Sequence, residues 1–111
     1  MVITICGSSR FKDEMMQVAK QLTLQNHIVL MPMVFHHTDG DELTTEQKLS
    51  LDNLHKQKID MSDAIFVVDV DKYIGESTWS EIDWARRHNK QIFFLSEATP
   101  QPEEEKTETE N

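Results

Sequence analysis

The chain is poor in exactly the features that most restrict a protein's surroundings. It has one cysteine, Cys6, in 111 residues, so no intrachain disulfide framework is available to it. No apolar run approaches the length of a membrane-spanning helix, and the Met1-Val2-Ile3-Thr4 start lacks the basic segment and long apolar stretch of a secretory leader. Bases are scarce: 11 Lys and Arg stand against 20 Asp and Glu, a net charge of −9. Such a balance repels a phosphate backbone, which argues against direct binding to nucleic acid. There is no internal repeat, and the length leaves room for a single small domain. The expectation is a cytoplasmic protein with neither nucleic acid nor membrane as partner.

The acids are unevenly placed. Residues 97–111 hold six of them and one lysine, with no aromatic or β-branched aliphatic residue. That stretch is expected to be a disordered acidic tail, leaving residues 1–96 as the folded domain.

Within the domain, apolar runs alternate with helical periods. Strands are expected at 2–6 (VITIC), 27–31 (HIVLM), 64–70 (AIFVVDV) and 91–95 (QIFFL). Between them, Met15, Val18, Ala19 and Leu22 mark a helical face in 12–26. Thr44 with Gln47 is a capping-box start for a helix to about residue 61, and Thr78 with Glu81 is another for a helix to about residue 89. Residues 33–43, with His36, His37, Asp39, Gly40 and Asp41, read as a loop. Strands that are apolar along nearly their whole length and joined by helices imply an α/β, doubly wound parallel sheet of flavodoxin- or Rossmann-like type. Four strands in the order 2-1-3-4 with three helices are expected. Ligands then bind beyond the carboxyl ends of the first and third strands, at the topological switch point. This nominates two loops, Gly7 to Phe11 and Asp69 to Thr78.

The first loop offers Gly7, Ser8, Ser9 and Arg10 before a helix, where free backbone N–H groups favour an anion. Equally, a serine caps the helix and Arg10 is solvated, because no G-x-G-x-x-G or Walker pattern is present. The second loop carries Asp69, Asp71, Tyr73, Gly75, Ser77 and Thr78 and delivers Glu81 into the next helix. In the first turn the helix dipole holds a carboxylate ionised, as a nucleophile requires, though a capping role for Thr78 and Glu81 is the plainer alternative. On the middle helix Leu51, His55 and Ile59 fall on one stripe, so His55 borders the buried face toward the sheet edge, where a satisfied core or interface histidine is the plainer alternative to a catalyst. Trp79, Ile82 and Ala85 share an apolar face, with Trp84 projecting nearly opposite. Trp84 is therefore expected to meet a second copy of the chain. His36, His37, Asp39, Asp41 and His55 show no H-x-x-x-H or C-x-x-C spacing, so no metal is expected. Cys6, ending a strand, reads as a small core residue.

The opening ICGSSRF, the SDAIFVVDV strand, and GESTWSEIDWA followed by KQIFFL together resemble the nucleoside 2-deoxyribosyltransferase family. That family includes the 2'-deoxynucleoside 5'-phosphate N-hydrolases, and the resemblance spans essentially residues 2–95. It implies that Glu81, in a G-x-x-x-E-x-x-x-A context, attacks C1' of a deoxyribose and forms a glycosyl ester that water or another base resolves. It also implies that Cys6 to Arg10 lie beside the sugar, with Arg10 near a 5'-phosphate. The family's acid, eight residues before the Asp that opens the third strand, falls here on His55. An aromatic residue common in the family's first strand is replaced near Thr4, and the C-terminal residues that close the site in transferases have no counterpart. The short frame is closer to the hydrolase branch. The run Gly75 to Glu81 also resembles, more briefly, the G-G-x-G-T-x-x-E of phosphoribohydrolases.

The resemblance thus implies an N-glycosidase or deoxyribosyltransferase acting on a (deoxy)nucleoside or its 5'-monophosphate. Glu81 and His55 would be catalytic. Cys6, Gly7, Ser8, Ser9, Arg10, Asp69, Asp71, Gly75, Ser77 and Thr78 would bind substrate. No cofactor is needed, and a homodimer or larger assembly is expected. The alternative is a non-catalytic binder of a nucleotide or nucleotide-derived signal that uses the same pocket.

Overall fold

A computed structural model describes residues 1–33 and 42–97. The expected loop histidines and acids His36, His37, Asp39 and Asp41, and the tail beyond Glu97, lie outside the described residues.

The four strands are β1 (Val2–Cys6), β2 (Ile28–Leu30), β3 (Ala64–Val67) and β4 (Gln91–Phe94). Three helices are described: α1 (Lys12–Leu24), α2 (Thr45–Asp60) and α3 (Glu76–Arg87). All strands run parallel in the order β2-β1-β3-β4, so the expected doubly wound α/β sheet is present. Register is fixed by pairs such as Thr4 with Ile65 and Cys6 with Val67. No helix among the described residues is long and apolar enough to cross a membrane.

Alternation along β1 divides the core in two. Ile5 faces α1 and packs with Met15, Val18 and Val68, whereas Cys6 faces the other layer with Ile59, Ile65, Val67, Ile82 and Ala85. Full burial of each such aliphatic side chain stabilises the fold by about 1.5–3 kcal/mol. Thr4, on the Cys6 side, is fully buried and bonds to the Ser62 hydroxyl and the Lys58 carbonyl oxygen. It ties the end of α2 to the sheet. Gly7 follows immediately, where a Cβ would stand 3.1 Å from the Val68 carbonyl oxygen and 3.3 Å from Met15 Sδ.

Of the two expected capping boxes, one forms. At α2 the expected capping box is complete: the Thr44 hydroxyl accepts from Gln47 N, and Gln47 Oε1 accepts from Thr44 N. At α3 it is not formed. That helix begins at Glu76 on a Gly75 N-cap without a side-chain bond, so Thr78 and Glu81 fall one turn further in and are buried. The third strand also stops early, at Val67, because the chain turns at Val70–Lys72 with Asp71 and Lys72 at φ 54 and 65.

The buried face of α3 takes in Thr78 and Glu81 in place of Trp79, which changes the assignment of the two tryptophans. The buried arc of α3 runs through Thr78, Glu81, Ile82 and Ala85, and Trp79 and Trp84 flank it on opposite sides. Neighbouring α2 lies on the Trp84 side. There the indole Nε1 donates to Asp60 Oδ1 at 2.9 Å, the ring stacks on His88 at 4.3 Å, and the side chain packs against the core. Trp84 is therefore not the solvent-facing residue expected. Trp79 is, at 53% exposure.

Candidate functional site

A cleft of about 910 Å³ opens beyond the carboxyl ends of β1 and β3, where the strand order reverses and the chain leaves in opposite directions. Gly7, Ser8, Ser9 and Arg10 form one wall, α2 forms another, and Tyr73 with Gly75, Glu76, Ser77, Thr78 and Glu81 forms a third. Both nominated loops thus contribute. Of the expected residues, Gly7, Ser8, Ser9, Arg10, His55, Gly75, Ser77, Thr78 and Glu81 line the cleft.

Three others do not. Asp69 is buried, and its two carboxylate oxygens accept from Ser96 N at 2.9 Å and Ser96 Oγ at 2.6 Å. It fastens the chain after β4 and is not among the residues lining the cleft. Asp71 sits exposed in its left-handed turn, away from the cleft. Cys6 is fully buried behind the wall and touches the cleft only through the residues in front of it.

The Gly7–Arg10 wall combines two of the roles weighed for it. Ser8 Oγ accepts from Arg10 N at 3.4 Å, a weak cap on the 3-10 turn Ser9–Phe11. Arg10 is exposed and pairs with no carboxylate among the described residues. Its guanidinium lies 4.1 Å from the centre of the Tyr73 ring and donates to the Tyr73 hydroxyl at 3.2 Å. A cation held by an aromatic ring, with donors to spare, suits an incoming anion.

The inner wall is electrostatically unlike the expectation. Glu81 lies beyond the first turn of α3, and burial pushes its carboxyl up to about 7; the Cys6 thiol pulls it down, Asp52 pushes it up, and Lys56 pulls it down. Glu81 is therefore not held ionised by the α3 dipole, contrary to the expectation from the sequence. His55 goes the other way: burial lowers its imidazole to about 4, the Lys58 charge adds to the fall, and the Ile5 backbone opposes it. The ring is thus neutral near pH 7. Its Nε2 lies 3.9 Å from Glu81 Oε1 and 3.7 Å from Cys6 Sγ, and its Nδ1 is buried without a hydrogen bond of standard geometry. At 3.9 Å, with the imidazole neutral, the His55–Glu81 contact is not a salt bridge. The thiol of Cys6, itself pushed well up by burial and then by Glu81, has one hydrogen to direct at either neighbour.

Sequence reasoning missed the α2 contribution apart from His55. Leu51, Asp52 and Lys58 also line the cleft, and Lys58 Nζ donates to the Met31 carbonyl oxygen at 2.6 Å. The signal was present, since Asp52, three residues before His55, falls on the same side of the helix. Tyr73 was visible in the second loop but only the fold brings it onto Arg10.

No protein-family model matches this chain. A search of curated proteins likewise finds no match.

Proposed function

We propose that this chain is an N-glycosidase of the nucleoside deoxyribosyltransferase type, cleaving the N-glycosidic bond of a (deoxy)nucleoside or its 5'-monophosphate with Glu81 as nucleophile. The observation that carries this reading is the position of Glu81: a carboxyl poised near pH 7 on the inner wall of a cleft whose outer wall presents Arg10. In this reading Arg10 and the Gly7–Ser9 backbone receive the sugar or its phosphate, and Ser77 and Thr78 contribute hydroxyls. Ionised Glu81 attacks C1', the C1'–N bond breaks with its electron pair leaving on the base, and a glycosyl ester forms. Water then attacks C1' and releases Glu81. His55, neutral near pH 7, contacts the base through hydrogen bonding and does not act as an imidazolium acid; the departing base takes its proton from solvent.

Incubation with a panel of nucleosides and monophosphates, followed by chromatography of free base, tests this. Release that disappears in Glu81→Gln is expected. Release no greater than that of the variant would reject the reading, and a second base added to the mixture separates transfer from hydrolysis.

A second reading is supported by His55 itself. A neutral imidazole where the resemblance expects an acid fits a binder of nucleotides that no longer cleaves them. Thermal stabilisation by a monophosphate without base release, retained in Glu81→Gln, would favour it.

A further inference from the structure

Residues far apart in sequence converge behind the cleft in a way no local spacing announces. Cys6 at the end of β1, His55 in α2 and Glu81 in α3 each offer one ligand atom, all within 4.8 Å of one another. The Sγ–Nε2 and Nε2–Oε1 separations are 3.7 and 3.9 Å. Zinc bound tetrahedrally to sulfur, imidazole nitrogen and carboxylate oxygen sets its donors about 3.3–3.6 Å apart, from the usual bond lengths. Those two edges come within about 0.2 and 0.5 Å of that, and the third is no longer than 4.8 Å.

We propose that Cys6 Sγ, His55 Nε2 and a carboxylate oxygen of Glu81 form a three-ligand site for a thiophilic divalent cation of the zinc class, with its fourth position open to the cleft. The ligand set selects the ion: sulfur and imidazole suit zinc and its neighbours, whereas calcium and magnesium demand oxygen throughout. The imidazole is decisive, because an aspartate at position 55 would make the set mostly oxygen. Each ligand stands on a different element of the framework, and Cys6 packs with the buried Ile59 of α2 and Ile82 and Ala85 of α3, so the elements that carry the triangle are held by the core. His55 and Glu81 face the cleft and Cys6 lies behind them, which leaves only the cleft side free for water or a substrate oxygen. With Nε2 on the ion, Nδ1 carries the ring proton beside the Ile5 backbone. Occupancy would engage the lone pairs that Glu81 needs for attack at C1', so the cation would inhibit cleavage. That consequence rests on the proposed function, but the site does not.

The full chain, stripped with a chelator, is titrated with Co²⁺ while the thiolate-to-cobalt charge-transfer band is followed in the near ultraviolet. One cobalt per chain, a saturable band and its displacement by Zn²⁺ are expected. Cys6→Ser should abolish the band, and His55→Gln and Glu81→Gln should each weaken binding at least about tenfold. Should Cys6→Ser fail to fold, the other two variants decide the matter. Absence of the band in the folded parent, or cobalt binding unchanged in His55→Gln and Glu81→Gln, would overturn the site and leave any bound metal to other histidines. Base release is not read, so failure of the glycosidase reading leaves this result standing.

Discussion

His55 Nε2 and Glu81 Oε1 face each other at 3.9 Å across a buried gap, and burial drives both toward their neutral forms in opposite pH directions. For Glu81 the folded value of about 7 lies above the ordinary 4.5. Its stabilising contribution is complete below the lower value and is lost as pH rises through the upper one. For His55 the folded value of about 4 lies below 6.5, so its contribution is complete above 6.5 and lost as pH falls through 4. Between about 4.5 and 6.5 the two slopes oppose and nearly cancel. Glu81→Gln removes one of them. Relative to the parent, this variant should gain stability steadily from pH 4.5 to 7, by at most about 3 kcal/mol. Urea denaturation midpoints at several pH values measure this, and a pH-independent difference would show that Glu81 is not raised by burial.

The same elevated carboxyl shapes the expected rate profile. If cleavage needs ionised Glu81, kcat/KM for a nucleoside should climb with pH and level off above about 7. Asp52 is one of the charges holding that value up, so Asp52→Asn should move the rising limb to lower pH while Glu81→Gln loses roughly three orders of magnitude or more. Free-base release across pH 5–9 checks both.

Much of the fold is legible from strand composition alone. VITIC and QIFFL are apolar with few turn residues, and the parallel order follows from the helices between them. What the sequence conceals lies at helix starts and in long-range contacts. Thr78 and Glu81 satisfy the S/T-x-x-E pattern, yet Gly75 begins α3 earlier and both side chains turn inward. That shift moves Glu81 out of the first turn; separately, the arc through Thr78, Glu81, Ile82 and Ala85 is the one that packs inward, which leaves Trp79 in solvent and sets Trp84 against Asp60 of α2. Asp69 looked like a site acid because it ends an apolar strand in a nominated loop. Its partner, Ser96, stands 27 residues away, beyond any local pattern. Gly7 to Arg10 are legible as cleft residues because the switch-point rule depends on topology and not on side-chain detail, whereas His55 is legible only from the Leu51, His55, Ile59 stripe and the resemblance.

Arg10 pairs with no carboxylate among the described residues and rests on Tyr73, so it is free to exchange that contact for a phosphate. Arg10→Ala should weaken binding of a deoxynucleoside monophosphate by about 1.5–3 kcal/mol, the range for a hydrogen bond to a charged group. Binding of the corresponding nucleoside should change little. Calorimetric titration with the matched pair of ligands tests the contrast; equal losses for both would show that Arg10 does not read the phosphate.

Asp69 should behave as a fastening residue. Its carboxylate accepts both bonds from Ser96 in a buried setting, so Asp69→Ala leaves a backbone N–H and a hydroxyl unpaired. A loss of about 2–4 kcal/mol in unfolding free energy is expected, with ligand affinity unchanged. Ser96→Ala, which keeps the backbone bond, should cost less than half of that. Chemical denaturation of the two variants gives the ranking, and a weakened ligand with intact stability would return Asp69 to the site.

Gly7 occupies the point where β1 passes into the cleft wall, and its neighbours leave no room for a side chain. A Cβ there would meet the Val68 carbonyl oxygen at 3.1 Å and Met15 Sδ at 3.3 Å. The methionine tail can rotate aside, but the carbonyl belongs to the segment running on from β3 and moves only with the backbone. Gly7→Ala should therefore destabilise the fold by about 1–3 kcal/mol through overpacking, outweighing the few tenths to about 1 kcal/mol that restricting the unfolded chain returns. Met15→Ala cannot relieve the carbonyl contact, so the double variant should show no rescue beyond the relief of the Sδ contact. Thermal melts of the single and double variants read the balance; an unchanged or raised midpoint in Gly7→Ala would mean that the chain after β3 yields more easily than its packing against β1 implies.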